Sequence, residues 1–198
     1  MKRIDQAGHG PKPGLLRSRL PNYLAKNFRH IDYDVLTEAG VRHLVFDVDN
    51  TLVSFGKDSM RLDDLEFFVK LGRHPKIESI RLATNSPQGH HHIAKELGVH
   101  VTAARPTAFK PLPRFYHKVI GGIEGRPQPH EVAMIGDKLV QDIWGANHVG
   151  MTTVLVEPLG HDNLLDRLTL VRKREKRILR KYLSETPPIA TKAEDLDR

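Results

Sequence analysis

Short apolar segments with strand character alternate along this chain with segments of helical periodicity, and this alternation limits the possible fold more than any other feature. Strands separated by helices form a parallel sheet through right-handed crossovers, with helices covering both faces. The sequence therefore predicts an α/β fold, a three-layer Rossmann-like parallel sheet. The predicted strands are residues 41–47, 79–83, 100–103, 131–135 and 152–156, and the predicted helices are residues 62–71, 87–97, 115–123 and 140–147.

Polar side chains follow four of these strands, and in a parallel sheet those carboxyl ends meet at one edge. Asp47 and Asp49 come after the first strand with Val48 between them, so both carboxylates can face one small site. Ser86 and Pro87 resemble an N-cap and first helical residue, which predicts an anion-binding helix N-terminus after the second strand. The other strand-end candidates are Thr84, Asn85, Lys110, Asp137 and Asp142.

These residue types are the parts that phosphoryl transfer through an aspartyl phosphate requires. One carboxylate attacks phosphorus, a second transfers protons, and oxygen ligands hold a hard divalent cation. A hydroxyl, amides and an ammonium group bind the phosphoryl oxygens, on which the charge lies. The chain offers a candidate for each part, each at a predicted strand end.

At these positions the chain resembles the haloacid dehalogenase (HAD) superfamily of phosphatases, whose four motifs are matched in order within residues 41–157. Over about residues 20–181 it resembles more closely the YqeG family of subclass IIIA phosphatases, to which a mitochondrial phosphatidylglycerophosphate phosphatase is similar. The segments that carry this closer resemblance include DVDNTLV, AFKP and DIWGAN, which begin at Asp47, Ala108 and Asp142.

The resemblance implies Mg²⁺ as the cofactor and a role for each matching residue. Asp47 would be the nucleophile and Asp49 the general acid and base. The implied metal ligands are Asp47, the main-chain carbonyl of Asp49, Asp137, and Asp142 either directly or from beside the ion. The other implied catalytic or substrate-binding residues are Thr84, Asn85, Lys110 and Lys138, with Thr51 supporting Asp49 and its turn.

The chain departs from the family pattern in its fourth motif. Lys138 and Gln141 stand where the family commonly has Gln and Thr. Lys138 places an additional cation near the metal, which predicts an altered substrate preference with the chemistry retained.

The spacing between motifs predicts a domain without a cap. Thr84 lies only 33 positions after Thr51, and Lys110 lies 26 positions after Thr84. A loop and a helix fill the first interval, and a helix and a strand fill the second. An uncapped site excludes water poorly by itself, which favours a bulky phosphate monoester that helps to close the site.

The net charge of +7 is concentrated at the two ends of the chain. Residues 1–20 carry +4 and residues 166–183 carry +6, so the remainder carries −3. Basic ends favour an anionic partner, and the charge leaves a membrane surface and nucleic acid both open. The predicted organisation is a flexible basic arm (1–20), a phosphatase domain (21–160), an amphipathic basic helix (161–183) and a flexible tail (184–198).

Several classes of protein and site are excluded. With no cysteine, the chain has no disulfide, thiolate metal site or cysteine nucleophile. It has no apolar run near the ~20 residues of a membrane span and no secretory signal, which predicts a cytoplasmic protein, peripheral at the membrane if the basic helix binds lipid. Three consecutive residues, His90, His91 and His92, cannot converge on one ion from a helix, so they are interpreted as an exposed first turn.

These observations predict a Mg-dependent phosphatase, with phosphatidylglycerophosphate as the first candidate substrate. The lipid rests on the family resemblance, with weak support from the basic helix. One alternative is the same chemistry on a nucleic-acid or protein phosphate. The other is an RNA- or ribosome-binding protein with secondary phosphatase activity.

Overall fold

The computed structural model describes residues 2–3, 20–57, 59–86, 88, 90–160 and 177–178. They form a seven-stranded sheet flanked by helices. The strands are β1 (Lys2–Arg3), β2 (Tyr23–Ala25), β3 (His43–Phe46), β4 (Ser79–Thr84), β5 (His100–Ala103), β6 (Val132–Gly136) and β7 (Thr152–Val156). The α-helices are α1 (Tyr33–Glu38), α2 (Leu62–Leu71), α3 (His91–Leu97), α4 (Pro113–Gly121) and α5 (Gly145–His148), with a π-helix over Leu139–Trp144 and 3-10 turns at Phe28–His30 and Pro129–Glu131.

The strand order across the sheet is β1-β2-β7-β6-β3-β4-β5. All neighbours are parallel except β1, which pairs antiparallel with β2. The chain extends from β3 to β4 and β5 on one side, then crosses to β6 and β7 on the other. This reversal makes the carboxyl end of β3 a topological switch point, where ligands bind in open α/β sheets.

The sheet separates two apolar clusters. Leu44 and Phe46 of β3 belong to one cluster, together with Phe68 of α2. Val45, which alternates with them, belongs to the other cluster, together with Phe115 of α4. The predicted three-layer architecture is therefore confirmed, with helices on both faces of a buried central strand.

The structure contains each strand and helical segment predicted between residues 41 and 156, with ends displaced by a few residues. Three short elements, β1, β2 and α1, were not predicted. A three-residue strand is too short to show a periodicity of two, and β2 is defined by its pairing with β7 at the far end of the domain.

The predicted start of α3 is wrong. The helix begins at His91, and His90 precedes it with φ 46° and ψ 40°. Near Ser86 the chain makes a local turn instead, since the Ser86 N–H donates to Thr84 Oγ1 at 3.0 Å. The predicted anion-binding helix N-terminus therefore does not follow β4 directly. The predicted C-cap of α3 is confirmed, because Gly98 adopts a left-handed conformation with φ 66°.

The predicted helix over 140–147 divides into two types. Leu139–Trp144 is a π-helix, and α5 continues from Gly145. Its backbone includes an N–H to carbonyl bond from Ile143 to Lys138, five residues back, at 3.4 Å. Such π-helical turns are rare in proteins, and those that do occur are often found at functional sites.

The prediction of a domain without a cap is also confirmed. Among the described residues, α2 is the only helix between β3 and β4, and α3 the only helix between β4 and β5. Within the same residues, no helix is both long enough and apolar enough to cross a membrane. The predicted arm, basic helix and tail lie outside the described residues, apart from the edge strand at 2–3 and two exposed helical residues at 177–178.

Candidate active site

The candidate residues converge at the carboxyl edge of the sheet, around the switch point. Phe46 of β3 is in register with Leu82 of β4 and Ile135 of β6. Asp47 therefore leaves the sheet between the ends of two neighbouring strands, and its N–H donates to the Ile135 carbonyl at 2.8 Å. The neighbouring strands bring Thr84 and Asp137 to the same edge, as the sequence predicts.

Three carboxylates meet at this edge. Asp47, Asp137 and Asp142 are buried, and each offers an oxygen such that the three oxygens lie within 4.8 Å of one another. The π-helix turns Asp142 back toward β6, where Asp142 Oδ2 accepts the Lys138 N–H at 3.0 Å. A Cβ on Gly136 would lie 2.3 Å from Asp142 Cγ, so glycine is required at that position for this approach.

Lys110 joins the carboxylates from the loop after β5. Its buried Nζ donates to Asp47 Oδ1 at 2.5 Å and to Asp142 Oδ1 at 2.7 Å. Asn85 holds the backbone of Lys110 from both sides, since its Oδ1 accepts the Lys110 N–H at 2.8 Å and its Nδ2 donates to the Lys110 carbonyl at 3.0 Å. We call Asp47, Lys110, Asp137 and Asp142 the buried charge cluster.

The electrostatics of the buried charge cluster favour an additional cation. Burial raises the pKa of Asp47 to about 7, with Lys110 opposing this rise and Asp142 and Asp137 adding to it. Burial alone lowers the pKa of Lys110, but Asp142 and Asp47 outweigh it and the net pKa is raised. Three carboxylates thus lie close together, and the Lys110 ammonium group bonds two of them, Asp47 and Asp142. Convergent carboxylate oxygens are the donors that Mg²⁺ prefers, so these residues fit the implied ion.

The residues beside the buried charge cluster shape its surroundings. Thr84 is fully buried and its hydroxyl accepts the Ser86 N–H. Asn50 has φ 62°, a conformation that asparagine tolerates, and its Oδ1 accepts the Phe55 N–H at 3.0 Å. The Thr51 hydroxyl is buried and makes no hydrogen bond within the described part of the chain, so any support it gives to Asp49 does not pass through that hydroxyl.

The Asp49 side chain has different surroundings from those of the buried charge cluster. Its side chain is 27% exposed, and its Oδ2 lies 3.0 Å from His90 Nε2. The interpretation of all three histidines as an exposed turn is therefore wrong for His90, whose side chain is 13% exposed, and right for the exposed His91 and His92. That interpretation places all three histidines on one helix. Since His90 precedes α3, the fixed angle between neighbouring side chains on a helix does not determine where its ring lies.

Sequence reasoning also missed Tyr116 and the structural part played by Gln141. The Tyr116 hydroxyl donates to the Gln141 carbonyl, and the Gln141 side chain accepts from Asn85 Nδ2 at 3.3 Å. Burial raises the pKa of Tyr116, with Asp142 and Asp47 contributing. The predicted substrate contacts of Thr84, Asn85, Lys110 and Lys138, and a metal bond from the Asp49 carbonyl, stay predictions.

Comparison with known proteins shows that this chain is similar to HAD-like hydrolases and to phosphatases. The family model described as HAD-hydrolase-like matches residues 108–162. The chain is 28% identical over 162 residues to "Probable phosphatase YqeG" of Bacillus subtilis, covering 81% of this chain and 89% of that one. It is 34% identical over 181 residues to "Phosphatidylglycerophosphate phosphatase 1, chloroplastic" of Chlamydomonas reinhardtii, covering 80% of this chain and 63% of that one. Among solved structures, YfnB from Bacillus subtilis, described as a HAD-hydrolase, matches with a TM-score of 0.45 and 12% identity, covering 67% of this chain and 99% of that one.

Proposed function

The chain belongs to the YqeG family of HAD phosphatases, and from this premise we propose that it is a Mg²⁺-dependent phosphomonoesterase acting through an aspartyl phosphate. One observation carries the proposal: the buried Lys110 ammonium bonds both Asp47 and Asp142 beside Asp137. A lysine held between these carboxylates at a switch point is arranged to receive a phosphoryl group.

In the proposed reaction Asp47 attacks phosphorus and Asp49 donates a proton to the departing oxygen. Asp49 then takes a proton from the water that hydrolyses the aspartyl phosphate. Lys110 and the Thr84 hydroxyl bind the phosphoryl oxygens. A magnesium ion held by Asp47, Asp137 and Asp142, with the Asp49 carbonyl, would supply positive charge that stabilises the transferring group.

We propose a lipid phosphate, with phosphatidylglycerophosphate as the first candidate, as the substrate. The similar Chlamydomonas protein bears that substrate in its name. Independent support comes from four exposed apolar side chains on the loops that follow β3, β5 and β7 at the active-site edge. Their exposed fractions are 51% for Phe55, 40% for Phe109, 38% for Leu112 and 41% for Leu159. Such side chains can enter the interfacial layer of a lipid aggregate.

The experiment measures phosphate release from phosphatidylglycerophosphate in mixed micelles with Mg²⁺. The parallel substrates are an aryl phosphate, a 5′-phosphorylated oligonucleotide and a phosphopeptide, and Asp47→Asn is the control. We expect preference for the lipid and a loss of about 10³-fold or more in the variant, because the covalent step requires the nucleophile.

Preference for the oligonucleotide or the phosphopeptide would retain the phosphatase and reject the lipid. Equal activity of Asp47→Asn and wild type would reject the proposed chemistry. A cytoplasmic location and binding to an anionic membrane through residues 166–183 stay predictions, as does the alternative of nucleic-acid binding by that segment.

A further inference from the structure

His90 forms a long-range hydrogen bond to the proposed acid–base residue. Its Nε2 lies 3.0 Å from Asp49 Oδ2, across 41 positions of sequence. The His90 side chain is 13% exposed and the Asp49 side chain 27%. Within the described part of the chain, His90 is the hydrogen-bond partner of the Asp49 carboxylate.

The backbone of His90 indicates that this position is under constraint. With φ 46° and ψ 40°, His90 occupies the left-handed region, which costs a non-glycine residue about 1–2 kcal/mol. The two residues that follow adopt ordinary helical geometry and are exposed. The strained conformation therefore belongs to the one histidine of the three that contacts Asp49, which is the pattern expected where strain serves a site.

The position of Asp49 explains why it needs such a partner. Asp47 is fixed by Lys110 inside the buried charge cluster, whereas a partly exposed carboxylate can rotate freely in solvent. Efficient proton transfer requires the acid to lie within hydrogen-bond reach of the reacting oxygen. A bond from the His90 ring to Oδ2 restricts that rotation and leaves Oδ1 to face the substrate.

We propose that His90 is a positioning residue that orients Asp49 for proton transfer, an inference that rests on the proposed phosphatase function. In the first step the Asp47–phosphorus bond forms and the bond from phosphorus to the ester oxygen breaks. The electron pair stays on that oxygen, which takes the Asp49 proton and leaves as an alcohol. In the second step water adds to phosphorus, Asp49 accepts its proton, and the acyl–phosphate bond breaks to restore Asp47 and release phosphate.

Esters with graded leaving groups test this inference, because only poor leaving groups depend on the acid. The measurement is kcat/KM with Mg²⁺ for an alkyl phosphate and for 4-nitrophenyl phosphate. For His90→Ala we expect a loss of about 30- to 100-fold on the alkyl ester, comparable to misplacing a catalytic group by 1 Å, and about 3-fold or less on the nitrophenyl ester. His90→Gln, whose amide can replace the Nε2 donor, should restore most of the difference.

His91→Ala is the matched control, because His91 is exposed and the ring contact of His90 within the described residues is to His92. This variant should leave both esters unchanged. An equal loss on both esters in His90→Ala, or no loss on either, would overturn the positioning role. Failure of His90→Gln to recover the alkyl ester would also count against it. Absence of Asp47-dependent turnover in the wild type would instead refute the proposed function itself, so the two failures are distinguishable.

A second measurement does not depend on turnover. In ¹⁵N NMR spectra of the histidine rings, Asp49→Asn should shift the His90 Nε2 signal and leave that of the exposed His91 in place. An unchanged His90 signal would refute the hydrogen bond on which the proposal stands.

Discussion

Asp47 and Asp49 are two residues apart in sequence but occupy opposite environments. Asp47 is buried beside Lys110, and burial raises its pKa to about 7. Asp49 is partly exposed and bonds His90. A nucleophile benefits from a dry, fixed position next to charge, whereas an acid–base group must reach both the leaving group and water. The difference teaches that one turn can supply two carboxylates in unlike surroundings, and these surroundings suit each carboxylate to the role proposed for it.

Removing the Lys110 charge should have the largest effect, because it removes the ion pair that holds the buried carboxylate of Asp47. Lys110→Met leaves Asp47 and Asp142 buried without their shared ammonium group. We expect a loss of activity of about 10³-fold or more, and destabilisation of the metal-free protein by about 3–5 kcal/mol from the unpaired charge.

Chemical denaturation and steady-state assays check that prediction. Lys118→Met, at an exposed position on α4, is the matched control and should change neither quantity much. Near-normal activity in Lys110→Met would show that the ion pairs are dispensable.

A smaller effect is expected from adding a methyl group inside the buried charge cluster. Gly136→Ala would place a Cβ 2.3 Å from Asp142 Cγ, so Asp142 or β6 must move. We expect destabilisation of about 1–3 kcal/mol and a loss of activity of about 10²-fold. The ¹⁵N signal of His90 should stay unchanged, because the Asp49–His90 pair lies outside this contact.

Gly121→Ala provides the control for Gly136→Ala, since a Cβ there meets no atom within 4 Å. Thermal melts should show Gly121→Ala at or slightly above the wild-type Tm. Equal stability of the two variants would mean that Asp142 relaxes without cost.

The smallest effect concerns protonation of the buried carboxylate. Burial raises the pKa of Asp47 to about 7, so at pH 6 most of the metal-free protein holds a proton that a cation must displace. Mg²⁺ affinity should therefore rise with pH, by about tenfold from pH 6 to pH 8, with release of a proton. Isothermal titration calorimetry in buffers of different ionisation enthalpy measures both quantities. An affinity independent of pH would contradict the raised pKa.

Most of the fold could be predicted because each signal was local. A strand such as His100–Ala103, or the glycine at position 98 that ends α3, is specified by neighbouring residues and their periodicity. The start of α3 could not be predicted in this way. A Ser-Pro pair that resembles a cap competes with a turn in which the Thr84 hydroxyl accepts the Ser86 N–H.

The sequence by itself determined which polar residues lie at the carboxyl edge, since a parallel sheet brings the ends of its strands together. Only the tertiary structure decided which of them touch. The reach of Lys110 to Asp47 spans 63 positions, and the bond from His90 to Asp49 spans 41. Such contacts depend on strand order and on the path of each loop, which no local pattern encodes. For that reason one histidine of three identical neighbours lies beside a carboxylate while the other two face solvent.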